Sequence, residues 1–473
     1  MKKNIILALI ALVAFSCTSD LEELNINKKD FATTTDASLF TNAQFKLFNQ
    51  MTETNVNRNI FRLIVQNWTE TIYTDETNYD LKTRGIDEEH WEALYRDALK
   101  NFSESKKLVT GLPDVKTNKT AIIELYEIYT YYVLVTSFGD IPYSEALDVN
   151  NLNPIFDKQE TIFNDLLERL DSNVISKLIV GQDGFSKSVD VVYEGDIAKW
   201  KKFANSLKLQ MGMLLADSDA AKASTVVSSA IASGVFTSAS DNMKLAFESA
   251  APYTNPVYTA LSTRNDFIPT NTIIDMMNTL NDPRRDDYFS EFEGGYKGGI
   301  TGELNTFGKF SHVSDKIGAD PTFAASIMTY YDVEFLLAEA IERGFTTGVA
   351  EDHYNNAITA SIKYWGGTDA EATTYLTETN VAYGSAVGDY KQKIGTQKWL
   401  ALYNRGFDSW TEWRRLDYPI LTAPADAMTT NNLPPHRLTY PNVELTLNGA
   451  NLSAASTSIG GDNLETKLFW DKN

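Results

Sequence analysis

Residues 330–367 read YYDVEFLLAEAIERGFTTGVAEDHYNNAITASIKYWGG, and the spacing of their apolar positions decides the fold class. A helical pattern over Tyr330–Arg343 ends at Gly344, a residue suited to the left-handed stop of a helix. A second pattern runs from Val349 through Tyr354, Ala357, Ile358 and Ile362 to Trp365, and Gly366-Gly367 ends it. Two such helices joined by a short turn form an αα-hairpin of about 34 residues, the size of one tetratricopeptide unit. No clean repeat at that period recurs along the chain. The reading is therefore a mostly α protein, with an irregular tetratricopeptide-like helical-repeat body, long loops and few short strands.

Other segments agree. In Asp196–Leu215 the residues Trp200, Phe203, Ala204, Leu207, Met211 and Leu214 fall on one helical face, with Asp196 placed to cap it. Ile122–Val135 is apolar on more than one face, as in a helix packed on several sides. Strand signals are short, Val443–Leu447 being one. The segments Thr74–Arg84, Asp241–Asn271, Asp282–Ala324 and Ala423–Asp462 read as long irregular stretches, rich in Gly, Pro, Asn, Thr and Tyr. Loops of that length in a compact domain are commonly functional. No low-complexity linker divides the chain, so residues 36–473 are expected to form one domain.

The N-terminus reads as an export signal. Lys2 and Lys3 precede an apolar run from Ile5 to Phe15, too short to span a bilayer, and Ser16 precedes Cys17. Cys17 is the only cysteine and has no intramolecular disulfide partner. It is expected to become the acylated first residue of a lipoprotein; the alternative is a small residue ending an ordinary signal. Residues 1–16 would be removed and 17–35 would form an acidic tether. Loss of Lys2 and Lys3 takes the formal charge from −21 to −23. Such a balance excludes a nucleic-acid partner and an electrostatic dock on anionic lipid, leaving acyl chains as the membrane attachment.

Catalytic and metal chemistry has no motif here. His90, His312, His353 and His436 stand far apart, read as surface or helix-end residues, and form no zinc pattern. Gly302–Lys309 misses the phosphate-loop spacing, and no Gly-x-Ser-x-Gly elbow occurs. Asp75-Glu76 and Asp286-Asp287 read as solvated loop charge or at most a weak structural calcium site, and no other cofactor is expected. The abundance of aromatics, 23 Tyr, 24 Phe and 8 Trp, suits flat faces for a ligand such as a sugar ring. Trp68, Tyr73 and Tyr79 flank the irregular 74–84 segment, and Tyr288 and Tyr296 lie beside Arg284 and Arg285 in a Gly-rich one. These five are the candidate ligand contacts, local packing being the alternative for each. Trp200, Trp399, Trp410 and Trp413 fall in helical patterns and read as core.

Several segments together resemble the SusD/RagB-like nutrient-binding outer-membrane lipoproteins, in their second, SusD-like branch. They include Ser137-Phe-Gly-Asp-Ile-Pro-Tyr-Ser-Glu-Ala-Leu147, Gly195-Asp-Ile-Ala-Lys-Trp200, Asn281-Asp-Pro-Arg284, Phe335-Leu-Leu-Ala-Glu-Ala340, Lys393-Ile-Gly-Thr-Gln-Lys-Trp399, Pro434-Pro-His-Arg437 and Phe469-Trp-Asp471. The resemblance implies an α-helical body anchored at the outer membrane and facing the cell exterior. It also implies an oligosaccharide or peptide ligand and a SusC-like TonB-dependent β-barrel transporter as partner. No binding residue is carried over by these motifs, and the family's role is not enzymatic. Two rival readings are a surface glycoside hydrolase and a non-binding structural subunit of the transporter complex.

Overall fold

Helix caps and apolar stripes set the order of elements in the computed structural model, which describes residues 34–112 and 117–472. Cys17, the signal segment and the tether through residue 33 lie outside the described residues. Helix α1 (Asp36–Thr52) starts where the Thr35 hydroxyl accepts from the Ser38 N–H at 3.1 Å. After the short α2 (Phe61–Ile64), α3 (Ile86–Glu92) widens through Ala93–Leu99 and continues as α4 (Lys100–Thr110). Helix α5 (Thr117–Phe138) is buried on nearly every side, as its all-round apolar pattern requires, and packs against α4 and α6 (Gln159–Arg169). It carries Glu124 and Glu127 into the interior, where Arg169 meets Glu124 at 2.7 Å and Lys106 meets Glu127 at 2.7 Å. Without these partners, burying two carboxylates would be prohibitive. Phe40 of α1 stacks on Phe185 at 4.0 Å and meets Tyr126 of α5 edge-on.

Helices α7 (Ile197–Leu214) and α8 (Ala220–Ser233) form the next hairpin. Asp196 caps α7 as read from the sequence, its carboxylate accepting from Ala198 N at 2.9 Å and Lys199 N at 3.2 Å. Gly212 permits the close approach of α8, since a Cβ there would stand 2.9 Å from Val226. Short helices α9 (Pro256–Leu261), α11 (Arg285–Tyr288) and α12 (Asp315–Gly318) then occupy stretches that read as irregular, with α10 (Asn271–Leu280) between two of those stretches.

The hairpin that opened the reading is α13 (Tyr330–Glu342) and α14 (Ala350–Trp365). Thr329 and Asp332 form a capping box at its start, and Gly366, at φ 115°, ends it. Beyond α15 (Asp369–Tyr375), helices α16 (Tyr390–Ala401) and α17 (Gly406–Leu416) pack together, and α16 packs against α13. A buried ionic lattice joins them. Arg415 meets Glu339 and Glu412, and Lys398 reaches Glu412 at 3.0 Å. Trp200, Trp399, Trp410 and Trp413 are core, as read.

Val443–Leu447 corrects the strand reading. It lies in α18 (Asn442–Leu447), followed by α19 (Gly449–Ser458). The turn buries none of its residues, Leu445 and Leu447 being 60% and 66% exposed, so no sheet face holds the alternating pattern, and Pro441, whose fixed φ suits helix entry, stands at its N-terminus. Two histidines also depart from the surface reading. His90 is buried between Phe61 and Phe138, and burial pushes its pKa down to about 3. His436 is buried with Nδ1 2.7 Å from Asp471.

Among the described residues the strands form three antiparallel pairs: β1 (Trp68–Glu70) with β5 (Phe267–Pro269), β2 (Ile141–Pro142) with β3 (Phe156–Asp157), and β4 (Met243–Leu245) with β6 (Ala325–Met328). The first pair positions the site.

Candidate ligand-binding groove

In β1 the chain pairs Trp68 with Pro269 and Glu70 with Phe267, so it enters the surface locked to β5. Past Glu70 the ladder continues by one bond, from Thr71 N–H to the Asp266 carbonyl at 2.9 Å, and then the chain leaves the body. Ile72 and Tyr73 are consequently thrust outward, 66% and 57% exposed. They form one edge of an open groove of about 770 Å³. Its opposite walls come from the turn after α1 (Asn55, Val56, Asn57), the 251–254 segment, α9, and Arg264 and Asp266 in the turn beyond it.

The floor is a buried charged cluster. Glu70 accepts from the Thr77 N–H and hydroxyl, each at 3.1 Å. Burial and the neighbouring Glu76 carboxyl push Glu70 up to about 9, so it is protonated at neutral pH. Glu76, read as solvated loop charge, is instead fully buried and ion-paired with Arg84. The Arg84 guanidinium in turn sits over the Tyr73 ring, 5.7 Å from its centroid. The exposed aromatic ring is thereby held from below by an anchored cation. Arg264 pairs with Asp266 at 2.6 Å. The groove thus offers one aromatic face beside planar amides, an arginine and carboxyl groups, the mixture that stacks on a sugar ring and bonds its hydroxyls.

Of the five candidate contacts, Tyr73 alone lines this groove. Trp68, Tyr79 and Tyr288 are fully buried and have no ring face for a ligand. The indole N–H of Trp68 donates to the Tyr403 hydroxyl at 2.8 Å, Tyr79 accepts from Gln66, and Tyr288 stacks on Tyr403 at 4.3 Å. Each is corrected to a packing residue, because its partner comes from elsewhere in the fold. Tyr296 lies apart from the groove, its hydroxyl donating to Asp286 at 3.0 Å and its ring covered by Arg285 at 4.5 Å. Ile72, Asn57, Arg264 and Asp266 were not singled out from the sequence. The polar turn Thr263-Arg-Asn-Asp266 before the apolar Phe267-Ile268 was the available signal, a weak one, since such turns are common.

A depression of about 840 Å³ beside α4 is larger, but its charges are spent on each other. Lys106 and Arg169 are paired with Glu127 and Glu124, and Tyr143 is held between Asp165 and Arg169. Its Tyr143 ring is half-buried and faced by Arg169, 5.7 Å from the centroid. Asp287 pairs with Lys316 at 3.1 Å, and among the described residues no cluster of three or more His, Cys, Asp or Glu side chains could hold a metal.

Fold and groove together describe a helical-repeat binding body, and comparison with known proteins gives the class its name. The chain belongs to the SusD-like family 2, described as "Starch-binding associating with outer membrane", whose model matches residues 28–441. A solved chitin-binding protein superposes with a TM-score of 0.81 at 26% identity, over 93% of this chain and 100% of that one. A SusD homologue from Bacteroides uniformis has a TM-score of 0.78 at 24% identity, over 92% and 99%. A chitin-binding SusD homologue from Flavobacterium johnsoniae has a TM-score of 0.78 at 22% identity, over 92% and 98%, and shares the fold. No curated protein matches the chain. No helix among the described residues is long and apolar enough to cross a membrane.

Proposed function

We propose that this protein is a non-catalytic, cell-surface glycan-binding lipoprotein that captures oligosaccharide in the groove at Tyr73 and hands it to a SusC-like TonB-dependent barrel. The observation that carries the reading is the Tyr73 ring, exposed at the groove edge and backed by the Glu76-anchored Arg84. Family membership supports glycan as the ligand class and the outer membrane as the location. Chitooligosaccharides are the first ligands to try, because a relative at 26% identity is a chitin-binding protein. Moderate affinity suffices, since the ligand must leave for the barrel. Cys17 would carry the acyl chains and residues 17–35 would hold the body clear of the membrane. Mass spectrometry of detergent-extracted protein should find an acylated N-terminal Cys17; an unmodified soluble form removes the anchor.

One observation favours a hydrolase instead: Glu70, a groove-lining carboxyl kept protonated at neutral pH, has the character of a general acid. Glu70 is 3% exposed with its carboxyl turned onto Thr77, and its neighbour Glu76 is fully buried, so neither flanks a substrate bond. Incubation with chitin or starch fragments should release no new reducing ends. Their appearance, and loss in Glu70→Gln, would establish the hydrolase.

A further inference from the structure

Helix α9 divides two cavities. Pro256, Thr259 and Ala260 face the candidate groove, while Tyr258 and Leu261 face a second cavity of about 370 Å³. Arg264 and Phe267 line both, so the two cavities adjoin at the C-terminal end of α9. Across the second cavity, Phe307 and His312 stack ring on ring at 3.8 Å and 14°. The imidazole is fixed there by its Nε2, 3.1 Å from the Phe307 carbonyl. A second aromatic pair therefore stands beyond the first, in the short turn at Phe307–Lys309, and is separated from it by a saddle.

The charges at these cavities restrict what can lie across them. Arg84 is paired with Glu76 and Arg264 with Asp266, so each guanidinium already has its counter-charge. Arg264 and Asp266 together present donors and an acceptor without net charge. A ligand bearing carboxylates or sulfates would meet Asp266, Glu53 and Asp315 as well as the paired guanidinium, whereas hydroxyls and acetamides bond such a pair without that repulsion.

Resting on the glycan reading of the groove, we propose that the ligand is an uncharged linear oligosaccharide long enough to cross the Arg264–Asp266 saddle, with its far units held on the Phe307–His312 platform. Affinity then grows with chain length until the second cavity is filled, and Tyr73 serves every length while Phe307 serves only the longer ones.

The test is calorimetry on the full mature chain with chitooligosaccharides and maltooligosaccharides of increasing length, and oligogalacturonides as the charged series. Wild type should gain about tenfold in affinity from the shortest binding oligomer to the longest in a neutral series. Phe307→Ala should erase that gain and leave the shortest oligomer unaffected. His312→Ala, a milder change that guards against misfolding of the first variant, should reduce the gain. Length-independent affinity, equal losses at all lengths in Phe307→Ala, or charged oligomers binding as well as neutral ones would overturn the two-compartment proposal while leaving the groove reading intact. Silence of every series with wild type, or undiminished binding by Tyr73→Ala, would instead defeat the groove reading and this proposal with it.

Discussion

Two aromatic residues five positions apart, Trp68 and Tyr73, have opposite fates, and their mutants should separate core from site. Trp68 is fully buried against Phe267 and Tyr403 with Arg62 over its ring. Trp68→Ala should cost about 3–5 kcal/mol of stability, read by chemical unfolding. Tyr73 is exposed, so Tyr73→Ala should change stability by no more than about 0.5 kcal/mol. Glu70 makes a pH prediction. Its carboxyl ionises near 4.5 when unfolded and about 9 when folded, so between these values the unfolded state binds fewer protons. Stability should therefore fall as pH rises through that window and level off above it. Glu70→Gln keeps an acceptor for Thr77 without the charge; it should lose less stability between pH 5 and pH 9, measured by unfolding across the series. A parallel decline in variant and wild type would assign the pH dependence to other groups. The sequence could propose these aromatics because loop Tyr and Trp are visible, but their orientation was hidden. Tyr403, Gln66 and Leu400, which settle Trp68, Tyr79 and Tyr288, are brought in by the fold, two of them from more than a hundred residues away.

Among elements, hairpins were the legible part. The α13–α14 pair shows helical periodicity and its own stops, and α7 shows its periodicity and cap, information carried within about twenty residues. Asp196→Ala should cost about 1 kcal/mol by freeing the first N–H groups of α7, seen as a lower unfolding midpoint. The short helices α9 to α12 and α18 were illegible for the converse reason: four to ten residues give too little periodicity, and tertiary contacts decide their state. The ionic lattice between α13, α16 and α17 was equally invisible, since local spacing pairs only Glu412 with Arg415, and the fold alone brings Glu339 and Lys398 to them. It makes a sharp prediction. Arg415→Ala leaves Glu339 and Glu412 buried with fewer partners and should cost about 3–5 kcal/mol, whereas exposed pairs such as Lys187–Glu194 should contribute under about 1 kcal/mol.

For the whole molecule, the groove depends on assembly of distant parts: the turn after α1, the β1 exit and the end of α9 line it together, and β1 pairs with β5 across about two hundred residues. That is why family resemblance could supply the class of protein and its helical body while motif and spacing could not supply the site. The central claim is that a sugar ring stacks on Tyr73 in that groove. Calorimetric titration of wild type and Tyr73→Ala with a chitooligosaccharide long enough to fill the groove tests it most directly. The account predicts saturable binding by wild type and about tenfold or greater weakening in the variant, with unchanged unfolding. Equal affinity in the two proteins would contradict it.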